Sequence, residues 1–172
     1  MAPRPDAALL RPFLPDDVPI LVAIFTAAIE ELTGDDYSEA QQEAWIASIE
    51  DEAAFGQRLG KQLTLIALLA EAPVGFASLR GTDHIDMLYV YPEVAGRGVA
   101  TSLVDALEKL SAHRGAVSLS VDASDTAVGF FARRGYQASQ RNSVMRGGEW
   151  LANTTMCKMF GSGSRASGSP SE

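Results

Sequence analysis

His84 and Asp86 stand two residues apart at the head of an apolar run, Ile85 to Val90, and are the residues best suited to acid–base chemistry. An imidazole with an ordinary pKa of about 6.5 accepts a proton near neutral pH. In a regular strand, residues i and i+2 share a face, so Asp86 is placed either to orient His84 or to compete with it as the base. Both are equally ordinary as strand-edge polar residues bonded to backbone or water. Tyr89, Tyr136 and Ser124 are candidate proton donors, and Tyr136 suits core packing as well. The single Cys157 has no internal partner for a disulfide. No spaced Cys, His and carboxylate cluster suggests a metal.

The second chemically suggestive stretch is Ala95-Gly96-Arg97-Gly98-Val99-Ala100. Two glycines let the backbone turn sharply and let a bulky ligand approach. Val99, Leu103, Leu107 and Leu110 then recur at helical spacing, so the turn opens a helix. A helix N-terminus presents unpaired N–H groups and the positive end of the helix dipole, a cradle for phosphate or pyrophosphate. Arg97 adds a charge. The Walker pattern with its Lys and Ser/Thr is absent, which leaves a nucleoside triphosphate poorly served.

Several elements must position these residues. Leu9–Leu14 reads as a strand, with Asp16 or Asp17 as N-cap of a helix whose apolar face holds Ile20, Ile24, Ala27, Ala28 and Leu32. Ser38 opens a second helix with Ala40, Ala44, Trp45 and Ile49 inward, and Gln41 or Gln42 gives an imperfect capping box. A short helix over 51–60 follows. Residues 63–69 suit a buried central strand, and a turn at 71–73 returns the chain as strand 74–79. Strand 85–90, the helix from Val99, strand 117–121, a helix over 125–133 closed by Gly135, and strands at 144–145 and 154–159 complete the order. Met87, Met145, Met156 and Met159 are expected to fill the core. This order implies an α/β (α+β) fold, a mixed sheet with helices on both faces. Residues 1–160 are expected to form one domain, and 161–172, rich in Gly and Ser, a disordered tail.

Two motifs resemble those of the GNAT superfamily of acetyl-CoA-dependent N-acetyltransferases, and especially its bacterial members of unassigned substrate. The block 95–100 matches Gln/Arg-x-x-Gly-x-Gly/Ala in all but its first position. Ser124-x-x-Ala127-x-x-Phe130-Phe131-x-x-x-Gly135-Tyr136 is similar to the family's Asn-x-x-Ala-x-x-Phe-Tyr-x-x-x-Gly-Phe. The resemblance implies a GNAT-like mixed central sheet with a splay between strands 4 and 5. It implies coenzyme A pyrophosphate on the amides of Ala95, Gly96, Arg97, Gly98, Val99 and Ala100. It also implies pantetheine along the backbone of Leu88 and Val90, with Ser124 and Phe131 beside it. Ser124 replaces an Asn, and Phe131 stands where a Tyr often protonates the leaving thiolate.

The implied chemistry is direct attack of a primary amine on acetyl-CoA, with no covalent acyl-enzyme. An amine of lysine-like pKa, about 10.4, must first lose a proton, at roughly 4.6 kcal/mol near pH 7. The catalytic candidates are His84, Asp86 and Tyr89. The resemblance sets Tyr37 and Trp45 against the acceptor, although Trp45 also suits a helix anchor. Arg133 and Arg134 suit either an adenosine phosphate or a solvated helix end. A non-catalytic acyl-CoA-binding regulatory module is the alternative, suggested by Phe131.

The chain has 172 residues, 47% hydrophobic and 21% charged, with a net charge of −8. That charge argues against nucleic acid as a partner. Residues 1–60 hold three basic residues against twelve acidic ones, a balance of −9, which favours a cationic acceptor by long-range attraction or simply reflects solvated helix surface. Neither a leader nor a span of about 20 apolar residues is visible. The expectation is a cytoplasmic monomer or homodimer with no membrane partner.

Overall fold

The computed structural model describes residues 7–49 and 51–161. Seven strands, β1 (Leu9–Pro12), β2 (Leu63–Leu69), β3 (Ala72–Arg80), β4 (His84–Val90), β5 (Ser118–Ser124), β6 (Gln137–Arg146) and β7 (Glu149–Met159), form one sheet in the order β1-β2-β3-β4-β5-β7-β6. The helices are α1 (Val18–Leu32), α2 (Glu39–Ile46), α3 (Glu52–Lys61), α4 (Val99–His113) and α5 (Val128–Arg133). Every ladder is antiparallel except β4 with β5. That parallel pair joins only His84 to Ser120 and Ile85 to Val121, after which the two strands part. The expected mixed sheet with its splay is thus formed.

Each face of the sheet has its own core. Leu21, Ile24, Phe25 and Ile29 of α1 and Phe55 and Leu59 of α3 pack on Ile66, Phe76 and Met87. Leu103, Val104 and Leu107 of α4 and Phe131 of α5 cover Ala77, Leu79, Ile85, Leu119 and Val121 on the other face. Fully burying each such side chain contributes about 1.5–3 kcal/mol, so the helix–sheet contacts fix the frame that holds the splay open.

The register of β3 on β4 slips by one. Ser78 pairs with Met87 but Leu79 pairs with Ile85, leaving Asp86 without a partner on β3. This β-bulge breaks the alternation of faces. Ile85 and Met87, two residues apart, consequently enter opposite cores.

Helix starts differ in detail from the sequence reading. Asp17 does not cap α1 by its side chain; its carboxylate accepts the Leu14 N–H at 2.7 Å and takes both arms of the Arg11 guanidinium at 2.8 Å. The Ser38 capping box, expected to be imperfect, is complete: Ser38 Oγ accepts the Gln41 N–H at 3.1 Å and Gln41 Oε1 accepts the Ser38 N–H at 2.8 Å. Ala40 is exposed, since α2, packed on α1 and β7, has no fully buried residue, and Leu32 faces the cleft described below rather than the core. α5 starts at Val128, because Asp125 is held by Arg141 and Thr126 by Asp36 before the helix begins.

The last two strands are far longer than the sequence suggested. β6 carries Gln137 to Ser143, polar and mostly exposed, so it has no apolar alternation to read. Its ladder with β7 and the bonds from Asn142 Nδ2 to Asn153 Oδ1 at 2.9 Å and to Thr155 Oγ1 at 2.8 Å hold it instead. Met145 and Met159 are exposed on this edge and do not fill the core, whereas Met87 and Met156 do. Of the expected tail, residues 162–172 lie outside the described residues.

The β2–β3 hairpin closes through Ala70 and Glu71, at φ 47° and 68°, between paired Leu69 and Ala72. Two-residue loops with positive φ at both positions favour Asn-Gly. The double substitution Ala70→Asn with Glu71→Gly is expected to stabilise the fold by about 1 kcal/mol, raising Tm by roughly 2–4 °C in a thermal melt.

Candidate functional site

Beyond Ile85 and Val121 the splay opens into a cleft of about 710 Å³ that runs from α1 and α2, between β4 and β5, to the N-termini of α4 and α5. The chain assembles this space from both halves of the sheet. The site residues picked out from sequence line it except Arg97, which sits in the turn but outside the cleft wall, and the weaker candidates Tyr136 and Arg134.

Gly96 and Gly98 adopt φ 78° and 82°, a region that L side chains rarely enter, and Gly98 is the N-cap of α4. Arg97 N–H is spent on the Val94 carbonyl at 3.2 Å and Ala95 N–H on Pro92 at 3.1 Å. The amides of Gly96, Gly98, Val99, Ala100 and Thr101 donate to no backbone carbonyl among the described residues. Four of those amides belong to the helix end itself, where the dipole adds to their attraction for an anion. The turn thus gathers unpaired donors at a helix N-terminus, a setting that suits an anion.

His84 and Asp86 do not form the pair that strand alternation predicts. His84 turns to β5, its Nδ1 lying 2.8 Å from Ser120 Oγ and its Nε2 3.8 Å from Asp122 Oδ2. Ser120 Oγ also lies 3.2 Å from the Asp83 carbonyl; in the tautomer in which it donates there and accepts from Nδ1–H, Nε2 is the unprotonated nitrogen. Burial, then the charge of Arg80, holds the His84 pKa below its usual value against the pull of Asp122, Asp86 and Asp83. The ring is neutral at pH 7.

Asp86, released by the bulge, turns to α3. Its carboxylate accepts Arg58 Nε and Nη2 and Gln62 Nε2, each at 2.8 Å, and Arg80 stands 3.8 Å away. Burial raises its pKa, but the bonds from Arg58 and Gln62 outweigh that and leave it lowered. With its side chain only 6% exposed, Asp86 is a fixed anion organising two arginines. Replacing it with Asn is expected to cost about 1.5–3 kcal/mol at pH 7 by urea denaturation, the range for hydrogen bonds to charged groups. A lowered carboxylate pKa contributes stability above its unfolded value, about 3.9, that is lost as pH falls through the folded value. The gap between the two proteins should therefore close below about pH 4.

The aromatic candidates fall into different roles. Tyr37 is buried, donating to the Ala152 carbonyl at 2.6 Å and accepting the Asp125 N–H at 2.9 Å, so it ties the loop after α1 to β7 and to the entry of α5. Trp45 packs edge-on against Tyr37 at 5.3 Å between centroids and faces the cleft. Burial pushes the Tyr89 hydroxyl up to about 12, leaving it protonated. Tyr136 is buried against Phe131, and burial raises its pKa too. Ser124 Oγ accepts the Ala127 N–H at 3.2 Å at the cleft wall. Of the two arginines, Arg134 is locked by Asp105 and Glu108, whereas Arg133 lines the cleft.

Sequence reading missed Arg58, Arg80 and Arg146 in the wall, together with Asp122. They come from α3, β3, β6 and β5, and no motif or local spacing links them. Among the described residues, no group of three or more His, Cys, Asp or Glu is placed to hold a metal, and no helix is long and apolar enough to cross a membrane.

A profile of the acetyltransferase (GNAT) domain matches residues 33–157. The chain belongs to the GNAT acetyltransferase family. It is 39% identical over 147 residues, 86% of this chain and 93% of the relative, to the uncharacterized N-acetyltransferase YafP of Escherichia coli (strain K12). A crystal structure from Rhodopseudomonas palustris, described as a GCN5-related N-acetyltransferase and as an aminotransferase, class-II, is 60% identical. It covers 93% of this chain and 100% of that one with a TM-score of 0.89. The PaiA N-acetyltransferase of Thermoplasma acidophilum, solved with coenzyme A, shares the fold at a TM-score of 0.74 and 17% identity, covering 90% and 99% of the two chains. As a GNAT acetyltransferase the protein is an acetyl-CoA-dependent enzyme.

Proposed function

We propose that this GNAT enzyme acetylates the primary amine of a small molecule by direct transfer. The splay continuous with the cleft is the observation that carries the reading, because it joins unpaired amides at one end to a neutral histidine within the same space. The amides of Gly96 and of Gly98 to Thr101 hold the pyrophosphate, and the unpaired edge of β4 at Leu88 and Val90 takes the pantetheine. Ser124 and the apolar face of Phe131 line the opposite wall. Bound acetyl-CoA supplies a thioester: the amine nitrogen bonds to the acyl carbon, the C–S bond breaks, and coenzyme A leaves as thiolate. His84 Nε2 takes the proton the amine gives up. Nδ1–H to Ser120, and Ser120 to the Asp83 carbonyl, keep that nitrogen free.

Tyr89 is the proton donor available to the thiolate. A model thiol has a pKa of about 8.5, so the leaving group needs little help. Phe131 at the usual tyrosine position then costs little. The acceptor enters beside Trp45, with Tyr37 holding that wall in place. The single Cys157 and the absence of any disulfide fit a cytoplasmic setting.

Calorimetric titration with coenzyme A, followed by thiol release from acetyl-CoA over an amine panel, tests the reading. Turnover with an amine supports it; tight coenzyme A binding with no turnover for any amine would favour the regulatory module. Cys157, on β7 outside the cleft lining, takes no part in direct attack. Cys157→Ala should therefore keep kcat within about twofold of the parent. Loss of turnover would argue for an acyl-enzyme.

A further inference from the structure

The cleft of this acidic protein is lined by arginine. Its ionic wall comprises Arg58, Arg80, Arg133 and Arg146 against Asp86 and Asp122. Arg133 lies on α5, at the cofactor end, and the other three surround the acceptor end. Among the described residues, none of the acidic side chains in 1–60 lines the cleft, and the single charged side chain that this segment contributes there is Arg58. The described acids behind the −9 balance that suggested a cationic acceptor thus lie outside the site. At physiological ionic strength, charges more than about 8 Å apart across solvent are largely screened, so the nearby guanidinium groups decide what binds.

Those groups are not all satisfied. The Asp86 carboxylate is shared between Arg58, 49% exposed, and Arg80, 60% exposed, so both keep donors open to the cleft. Arg80 sits across the ladder from His84. The side chain of Arg146, at the end of β6 opposite Glu149, makes no hydrogen bond or ion pair among the described residues. Arg146 and Arg58 line both the main cleft and a second one of about 510 Å³ beside the β6–β7 turn, so they stand where the two meet. Both also bear on the Tyr89 hydroxyl, where their charges oppose the upward push of burial. Ile29, Leu32 and Trp45 make the adjoining wall apolar.

We propose that the acceptor is an amine that also carries an anionic group, a carboxylate or a phosphate, held by Arg146 with Arg58 and Arg80 while the amine faces His84. Guanidinium groups match carboxylate and phosphate by paired donors, and a polyamine would meet them as like charge. The proposal rests on the amine-acetylation reading above and narrows its acceptor.

Matched acceptors separate the possibilities: phenylalanine against phenethylamine, O-phosphoethanolamine against ethanolamine, and spermidine, each assayed by thiol release from acetyl-CoA. The expected result is a kcat/KM at least tenfold higher for the anionic member of a pair, the better pair identifying carboxylate or phosphate. Arg146→Gln should raise KM for that acceptor at least tenfold and narrow the ratio within the pair. KM for acetyl-CoA should stay unmoved, and Arg146→Lys should recover part of the loss. Preference for spermidine or phenethylamine, or a ratio untouched by Arg146→Gln, overturns the proposal. If no amine turns over, the transfer reading is what fails. Thermal shift of the coenzyme A complex by N-acetylphenylalanine against N-acetylphenethylamine then decides: stabilisation that needs the carboxylate and is lost in Arg146→Gln supports the anionic site, and its absence overturns it.

Discussion

His84→Gln is expected to lower kcat/KM for the amine by about 10²–10³-fold at pH 7 while leaving coenzyme A affinity unchanged, since general acid–base groups contribute typically 10²–10⁴-fold. Glutamine keeps a hydrogen-bonding side chain near Ser120 but cannot take a proton, so the loss reports proton transfer rather than collapse of the strand. The pH profile is the sharper measurement. Burial and Arg80 hold the His84 pKa below about 6.5, so the basic form prevails at neutral pH and the parent loses rate only on the acid side of that value. The variant should lack this acid limb. The same shift affects stability with a definite sign. A histidine with a lowered folded pKa contributes stability above its unfolded value that is lost as pH falls through the folded one, so the parent should weaken relative to His84→Gln in acid. A retained acid limb in the variant would move the base elsewhere, and Asp86 is poorly placed to serve because Arg58 and Gln62 occupy its oxygens.

Ala100→Glu should weaken coenzyme A binding by about 30–150-fold, roughly 2–3 kcal/mol, for a repulsive charge placed among donors meant for phosphate. Ala100 is the second residue of α4 and lines the cleft. An acidic side chain in a first helical turn favours the helix by about 0.3–1 kcal/mol. The substitution is therefore expected to hold or raise Tm while abolishing most cofactor affinity, opposite signs that a folding defect cannot produce. Calorimetry and a thermal melt on the same sample check both. Unchanged affinity would show that the pyrophosphate does not sit on this turn.

The two variants probe separate halves of one mechanism. Ala100 tests whether the turn binds an anion, and His84 tests whether the bound complex can lose a proton. Arg146 tests a third matter, the acceptor, on the far side of the splay. Because the three lie on α4, β4 and β6, their effects should combine nearly additively unless the wall moves as a unit.

Much of the fold was legible in the chain itself. Central strands β2 to β4 and helices α1 and α4 carry strong apolar periodicity, and the Gly96–Gly98 turn announces itself through residue types that the backbone needs locally. The backbone of that turn and the start of α4 were therefore readable locally. The edge strands β6 and β7 were not, because exposed polar residues such as Gln137, Gln140 and Asn142 have no alternating pattern and are held by a ladder that forms only with the partner strand. The hairpin turn expected at 71–73 falls instead at Ala70 and Glu71 for a related reason: neither residue favours positive φ, and the flanking strands impose it.

The sequence alone determined which residues can do chemistry, a histidine, a glycine turn and a helix start, since those are properties of single residues and close neighbours. Tertiary structure decided how they are used. One extra residue in the β4 ladder turned Asp86 away from His84 and toward Arg58, which strand alternation cannot foresee because register is set by cross-strand pairing. Three arginines from positions 58, 80 and 146 met in the cleft wall, while the described acidic residues of 1–60 stayed outside the cleft. Charge along a chain is a sum, whereas the field in a cleft depends on which side chains the fold brings within a screening length of one another.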